Sequence, residues 1–141
     1  MLRGKSAYKG FELGVNYHPW TALATGINYT YIKRNNLTNP AIYFTDVPKS
    51  KLFTFVQYAI NSCLSLHADA ALDAKRYSTS YGTIADGYTL MNASAKLHRW
   101  KCFFLEGGVN NIFDKNYALT EGYPQAGRNF LINLHYNLQC D

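Results

Sequence analysis

The sequence predicts an all-β chain: an antiparallel up-and-down transmembrane β-barrel segment of about seven strands, forming part of a larger barrel. Three observations lead there. Apolar and polar residues alternate with period two in segments near ten residues long, the length of a tilted membrane-spanning strand. The connections alternate between short and long, as they do in barrels with tight turns on one side and extended loops on the other. Aromatic residues collect toward both ends of the segments, where amphipathic rings meet a membrane–water interface.

The segments can be justified in order. In Gly10–Pro19, Phe11, Leu13, Val15 and Tyr17 alternate with Gly10, Glu12, Gly14, Asn16 and His18. In Ala22–Lys33, Leu23, Ile27, Tyr29 and Tyr31 oppose Ala24, Gly26, Asn28 and Thr30. Lys51–Asn61 is less regular: Leu52, Val56, Tyr58 and Ile60 share one face, and Phe53 and Phe55 take the other. Leu64–Arg76 places Leu64, Leu66, Ala68, Ala70, Leu72 and Ala74 against Ser65, His67, Asp69, Asp73 and Lys75. Tyr88–His98, Cys102–Phe113 and Asn129–Leu138 repeat the pattern. Short turns fall at 19–22, 61–63 and 98–101, and long loops at 34–50, 77–87 and 114–127. Tyr17, Trp20, Tyr58, Trp100 and Tyr136 lie near the short-turn ends; Tyr31, Tyr77, Tyr88 and Tyr117 lie near the long-loop ends.

Composition agrees. The 141 residues are 48% hydrophobic, yet the mean hydropathy is −0.24, so apolar residues are interspersed with polar ones. No apolar run approaches the roughly 18 residues of a spanning helix. Aromatics make up 16% of the chain, with 12 Tyr, a β-rich bias. The net charge is +5, but the cations are spread along the chain without a basic stripe or recognition helix, so nucleic acid is not an expected partner. Met1–Gly10 lacks the apolar core of a signal peptide, so an export signal would have to come from sequence beyond this chain. Seven strands leave two unpaired edges, which hydrocarbon does not tolerate. A larger barrel, of the 22-stranded transporter class, resolves this. The alternatives are a small barrel that closes by oligomerisation and a soluble lipocalin-like ligand carrier.

The most specific segment is Gly107-Gly108-Val109-Asn110-Asn111-Ile112-Phe113-Asp114-Lys115-Asn116-Tyr117, followed by Glu121-Gly122-Tyr123-Pro124-Gln125-Ala126-Gly127-Arg128 and a final alternating strand. It resembles the closing strands of TonB-dependent outer-membrane receptors, with Val109, Asn111, Phe113, Asp114, Lys115, Tyr117, Gly122, Tyr123, Pro124, Gly127 and Arg128 fitting and Ile112 standing where Leu is usual. Weaker echoes are Asp46-Val47-Pro48-Lys49-Ser50-Lys51 before the third strand and Asp86-Gly87-Tyr88-Thr89-Leu90-Met91-Asn92 opening the fifth. The resemblance covers roughly 10–138. It implies the C-terminal barrel part of a receptor of the siderophore, haem and cobalamin group, located in the Gram-negative outer membrane. Its partners would be outer-membrane lipid, a plug and N-terminal barrel strands supplied from outside this chain, TonB acting through that plug, and a metal chelate. It implies no enzymatic activity and no cofactor. Two features depart from the family: no segment corresponds to the plug, and the chain ends Tyr136-Asn137-Leu138-Gln139-Cys140-Asp141 instead of on a terminal Phe.

On this resemblance, ligand contacts are expected from the long loops, at Arg34, Asn36, Tyr43, Tyr77, Tyr81, Tyr123 and Arg128, because anionic chelates favour guanidinium and aromatic groups. Arg128 has a second reading, as a group that pins the closing loop. No catalytic motif is present. Asp69 and Asp73 lie four residues apart in a strand, about 13 Å, too far for a glycosidase-type carboxylate pair. His18, His67, His98 and His135 read as polar lining of a lumen and not as a metal site. Among the cysteines, Cys63 and Cys102 start strands separated by another strand, about 9.6 Å apart and beyond disulfide reach. Cys102 and Cys140 sit at the same end of neighbouring strands and could bridge; three free thiols are the alternative.

Overall fold

The computed structural model describes residues 4–100, 103–120 and 122–136, with only the backbone described at 99 and 100. All its regular structure is β. Seven strands form one antiparallel sheet in the order β1-β2-β3-β4-β7-β8-β11. They are β1 (Ser6–Trp20), β2 (Leu23–Asn36), β3 (Ser50–Ala59), β4 (Leu64–Asp73), β7 (Tyr88–Trp100), β8 (Phe103–Asn110) and β11 (Asn129–Tyr136). Each long strand neighbours the next in sequence, so the topology is up-and-down without crossovers. Two small pairs sit in the loops: β5 (Arg76–Tyr77) with β6 (Ile84–Ala85), and β9 (Ala118–Thr120) with β10 (Tyr123–Pro124).

The ladder register fixes which residues share a face, since directly opposed residues project to the same side. Tyr17 pairs with Thr25, Thr25 with Val56, and Val56 with Ala68. Ala68 pairs with Ala93, and Ala93 with Val109. Continued through Val109–Phe130 and Gly107–Ile132, this defines one apolar face from edge to edge. It carries the alternating residues expected from the sequence, including Leu13, Val15, Ile27, Leu66, Leu72, Met91, Leu97, Leu105 and Leu134. The opposite face carries Glu12, Asn28, Gln57, His67, Asp69, Asn92, Lys96 and Glu106.

Apart from Pro48 in a loop, no hydrophobic side chain among the described residues is buried. Ile132 is 80% and Phe130 76% exposed. A water-soluble domain folds by removing such groups from solvent, so the apolar face needs an apolar surrounding outside the chain. This is the reverse of the enclosed core that a lipocalin-like carrier requires.

Several boundaries differ from the sequence expectation. β1 and β2 extend to Ser6 and Asn36 because polar residues continue the ladder, as in Lys9↔Lys33 and Ser6↔Asn36, where no hydrophobic alternation marks a strand. β1 also runs through Pro19 to Trp20 with a register shift after Tyr17. Proline lacks an amide hydrogen and is accommodated at such irregularities in edge strands. β4 stops at Asp73 where continuation to Arg76 was expected, since Arg76 turns away to pair in the β5–β6 hairpin. Tyr17, Tyr58, Tyr136 and Tyr31 lie on the apolar face, as a girdle requires. Tyr88 does not: it pairs with Asp73 on the polar face and its ring lies 4.5 Å from that of Tyr117. Tyr77 belongs to the β5–β6 hairpin. The Trp100 side chain lies outside the described residues.

Gly26 shows how tightly the polar face is packed: a Cβ there would meet the Phe55 ring and Asn16 Oδ1. Gly26→Val should therefore cost about 1–3 kcal/mol, seen as a lower urea midpoint for loss of heat-modifiable gel migration.

Candidate ligand-facing loops

The long loops are tied to one another. Arg34 projects from the polar face of β2, and its Nη2 donates to the carbonyls of Phe44 (3.3 Å), Thr45 (3.1 Å) and Val47 (3.1 Å). Its guanidinium also lies 5.6 Å from the Phe44 ring centroid. Arg34 thus fastens the returning limb of the 34–50 loop to the strand it left. The amide of Asp46, in a left-handed conformation (φ 68°), donates to the Tyr77 carbonyl at 3.0 Å. The Asp46 carboxylate accepts from Thr120 Oγ1 at 3.4 Å, so one residue touches both other long loops. Tyr43 stacks on Tyr77 with centroids 4.2 Å apart, and its amide donates to the Ser80 carbonyl at 3.0 Å.

Beneath the loops, Arg76 is the most enclosed cation among the described residues, with 3% of its side chain exposed. Its Nη2 lies 3.3 Å from Asp73 Oδ2, and its guanidinium is 5.1 Å from the Tyr88 centroid. Tyr88 donates its hydroxyl to the same Asp73 oxygen at 3.0 Å, and Lys51 Nζ approaches it at 3.7 Å. Arg76 Nε has no hydrogen-bond partner among the described residues. Arg34, Phe44, Lys49, Arg76 and Tyr77 line a cavity of about 380 Å³. With Lys75 also in the lining, four cations and two aromatic rings suit an anionic, planar group, through charge and stacking.

The closing motif acquires a physical meaning. Asn111, at φ 51° and almost fully buried, receives the Lys115 amide on Oδ1 at 2.8 Å and donates Nδ2 to the Lys115 carbonyl at 3.0 Å. Its own amide donates to Asn92 Oδ1 at 2.9 Å, and Asn92 donates to Asp69 at 2.8 Å. Asp114, at φ 52°, accepts the Arg128 amide at 2.8 Å. Gly127 leaves room for it, because a Cβ there would crowd the same carboxylate oxygen and force it to shift. Asn and Asp tolerate left-handed backbone better than other non-glycine residues, which accounts for both positions.

Of the residues expected to contact ligand, Arg34 and Tyr77 line this cavity, and Tyr43 stacks on Tyr77 beside it. Asn36 instead organises its own turn, accepting the amides of Thr38 (3.1 Å) and Asn39 (3.0 Å). Tyr81 is 92% exposed at the tip of the β5–β6 hairpin. Tyr123 and Arg128 are exposed in the last loop; Arg128 pins that loop through its backbone amide. Sequence reasoning missed Lys49, Phe44 and Arg76, the last hidden in an apparent strand end. The histidines do not converge. His67 lies 3.4 Å from Asp69, His98 packs edge-on against Phe104, and the described residues hold no His, Cys, Asp or Glu cluster suited to a metal. Cys63 is a free, exposed thiol. The Cys102–Cys140 pairing falls outside the described residues.

The sequence matches the family model of the TonB-dependent receptor-like β-barrel over residues 2–112. The chain belongs to this family. Among solved structures it is similar to the siderophore receptor PiuA from Acinetobacter baumannii, with a TM-score of 0.82 and 22% identity, covering 94% of this chain and 22% of that one. The closed form of the ferric-catecholate import receptor Fiu from E. coli K12 gives 0.82 at 21% identity, over 94% and 21%. The ferripyoverdine receptor of the outer membrane of Pseudomonas aeruginosa gives 0.78 at 18%, over 94% and 20%. The chain therefore spans about a fifth of the length of these receptors, and likeness at such identity speaks for the fold. No curated protein matches the sequence. The family match ends at Ile112, so the closing motif rests on its own residues and on the structural likeness.

Asp73→Ala would leave the enclosed Arg76 guanidinium without its counter-charge. It should destabilise the barrel by about 3–5 kcal/mol, measured as a shift in the urea midpoint. Asp114→Ala removes the acceptor of the Arg128 amide and should cost about 1–3 kcal/mol locally, read as faster hydrogen exchange across 114–128 with little change in the ladder of β2 and β3.

Proposed function

We propose that these strands form the C-terminal wall and extracellular loops of an outer-membrane receptor that imports a metal chelate, a ferric siderophore, haem or cobalamin, with TonB-derived energy. The observation that carries the reading is the two-faced, coreless sheet: a continuous apolar face for lipid, opposite a polar face whose rim bears interlocked loops around a basic, aromatic cleft. The open edges, β1 and β11, call for further strands to complete the hydrogen-bond ladder, and the polar face fits a water-filled or plugged lumen. A plug and N-terminal strands would then come from outside this chain. Binding and positioning are the tasks of these residues; no bond-making chemistry is assigned to them.

Within the reading, Arg34, Lys49 and Arg76 supply positive potential to an anionic chelate, while Tyr43, Tyr77 and the exposed Tyr81 and Tyr123 offer stacking faces. Arg34 acts chiefly by ordering its loop, so its loss should blunt binding even of ligands it does not touch.

The test is uptake of radiolabelled ferric siderophore, haem or cobalamin by cells whose only receptor is the complete barrel containing these strands, with and without TonB. TonB-dependent uptake of one of them is expected; uptake of none, or uptake indifferent to TonB, overturns the reading. Ile132→Arg, placed on the apolar face, should cost about 2–4 kcal/mol in a bilayer and reduce the heat-modifiable folded form. A neutral effect would contradict lipid contact.

A further inference from the structure

The apolar face does not end uniformly. On β1 and β2 it rises past Phe11, whose ring lies 5.8 Å from that of Tyr29 and 5.9 Å from that of Tyr31, and then turns basic. Lys9 and Lys33 are directly opposed in the ladder, on the same side as Phe11 and Tyr31. The ladder continues beyond Ser6 with the Leu37 amide donating to the Lys5 carbonyl at 2.9 Å, and alternation puts Lys5 on that side too. All three lysines are exposed. Among the described residues none of them pairs with a carboxylate. Glu12, the nearest acid along β1, pairs with Thr30 on the opposite face.

Two like charges directly opposed across a ladder destabilise it, and no carboxylate among the described residues offsets them. Their height is informative. β3 leaves the ladder at Ser50↔Tyr31; above that level the Ile32 amide still donates to the Lys49 carbonyl at 2.9 Å and Arg34, on the polar side, holds the returning loop, while Lys9 and Lys33 project from the other side. Lys33 lies two residues past Tyr31, a rise of about 7 Å along the strand. The polar headgroup layer adds about 5–8 Å on each side of the hydrocarbon. With Phe11, Tyr29 and Tyr31 at the interface, the lysines sit within that layer.

We propose that Lys9 and Lys33, with Lys5 beside them, form an outward-facing site for the phosphate group of an anionic lipid in the outer leaflet. A bound phosphate would neutralise the opposed pair and accept hydrogen bonds from both ammonium groups. This rests on the reading that the strands span a membrane; it adds a specific lipid contact on the outside of the wall, separate from the ligand-facing loops.

The test reconstitutes the complete barrel that carries these strands in nanodiscs of phosphatidylcholine, with or without a minor fraction of phosphatidic acid. Native mass spectrometry counts the phosphatidic acid retained, and thermal melting is followed in both lipids. Lys9→Gln with Lys33→Gln should weaken retention by about five-fold per lysine, whereas Lys9→Arg with Lys33→Arg should keep it. In phosphatidylcholine alone the Gln variant should melt at a higher temperature than the parent, because the repulsion is gone; with phosphatidic acid the order should reverse. Equal retention by parent and Gln variant, or the same melting order in both lipids, overturns the proposal. Displacement of the lipid by millimolar inorganic phosphate would mark a free-anion site instead and also overturn it. Failure of the parent barrel to insert into phosphatidylcholine would defeat the membrane-spanning reading itself, and the headgroup site with it.

Discussion

The backbone ladder is what this structure depends on. With no buried hydrophobic side chain in any strand among the described residues, packing of an apolar interior cannot hold the seven strands together. Strand-to-strand hydrogen bonds do so, and they are worth most where water cannot compete for the same groups. The same requirement sets the topology. Each long strand pairs with its sequence neighbour, turns are short at one rim, and only the outer edges of β1 and β11 remain open.

The two faces of the sheet then do different work. The apolar face is smooth and nearly free of polar interruption between the short-turn rim and Tyr31. The polar face carries short chains of hydrogen-bonded side chains, such as Asp69–Asn92–Asn111, which link β4 and β7 to the turn after β8. Above it, each long loop is held by a different device. Arg34 binds three carbonyls, Asp46 bridges two neighbouring loops, and Asp114 catches the Arg128 amide. A rim built this way is held in place by its own contacts, and such preorganisation lowers the entropic cost of any binding event.

How much of this could be read from residues alone differs from element to element. Leu64–Leu72 and Asn129–Tyr136 were legible because strict alternation is a one-dimensional record of a two-faced sheet. The upper halves of β1 and β2 were not, because Lys9, Lys33 and Asn36 continue pairing through backbone groups that carry no sequence label. Among candidate site residues, Arg34 and Tyr77 were found as loop cations and aromatics. Arg76 was passed over because its position extends the β4 pattern, and only the hairpin with Ile84–Ala85 turns it inward. Tyr88 has the height of a girdle ring, but height along a strand does not specify the face, and Tyr117 lies in the loop before β9 against the Tyr88 ring.

By itself the sequence determined the β class, the number of long strands, the side of the sheet each alternating residue occupies and the residues of the closing motif. These depend on period-two geometry and on local backbone preferences, which reach only a few residues along the chain. Tertiary structure alone decided that Asp46 joins three loops, that Asp73, Arg76 and Tyr88 share one enclosed cluster, and that Lys9 faces Lys33 on the apolar side. Such contacts depend on register between strands and on where long loops land, and both are settled by pairing across the sheet and not by neighbours in sequence.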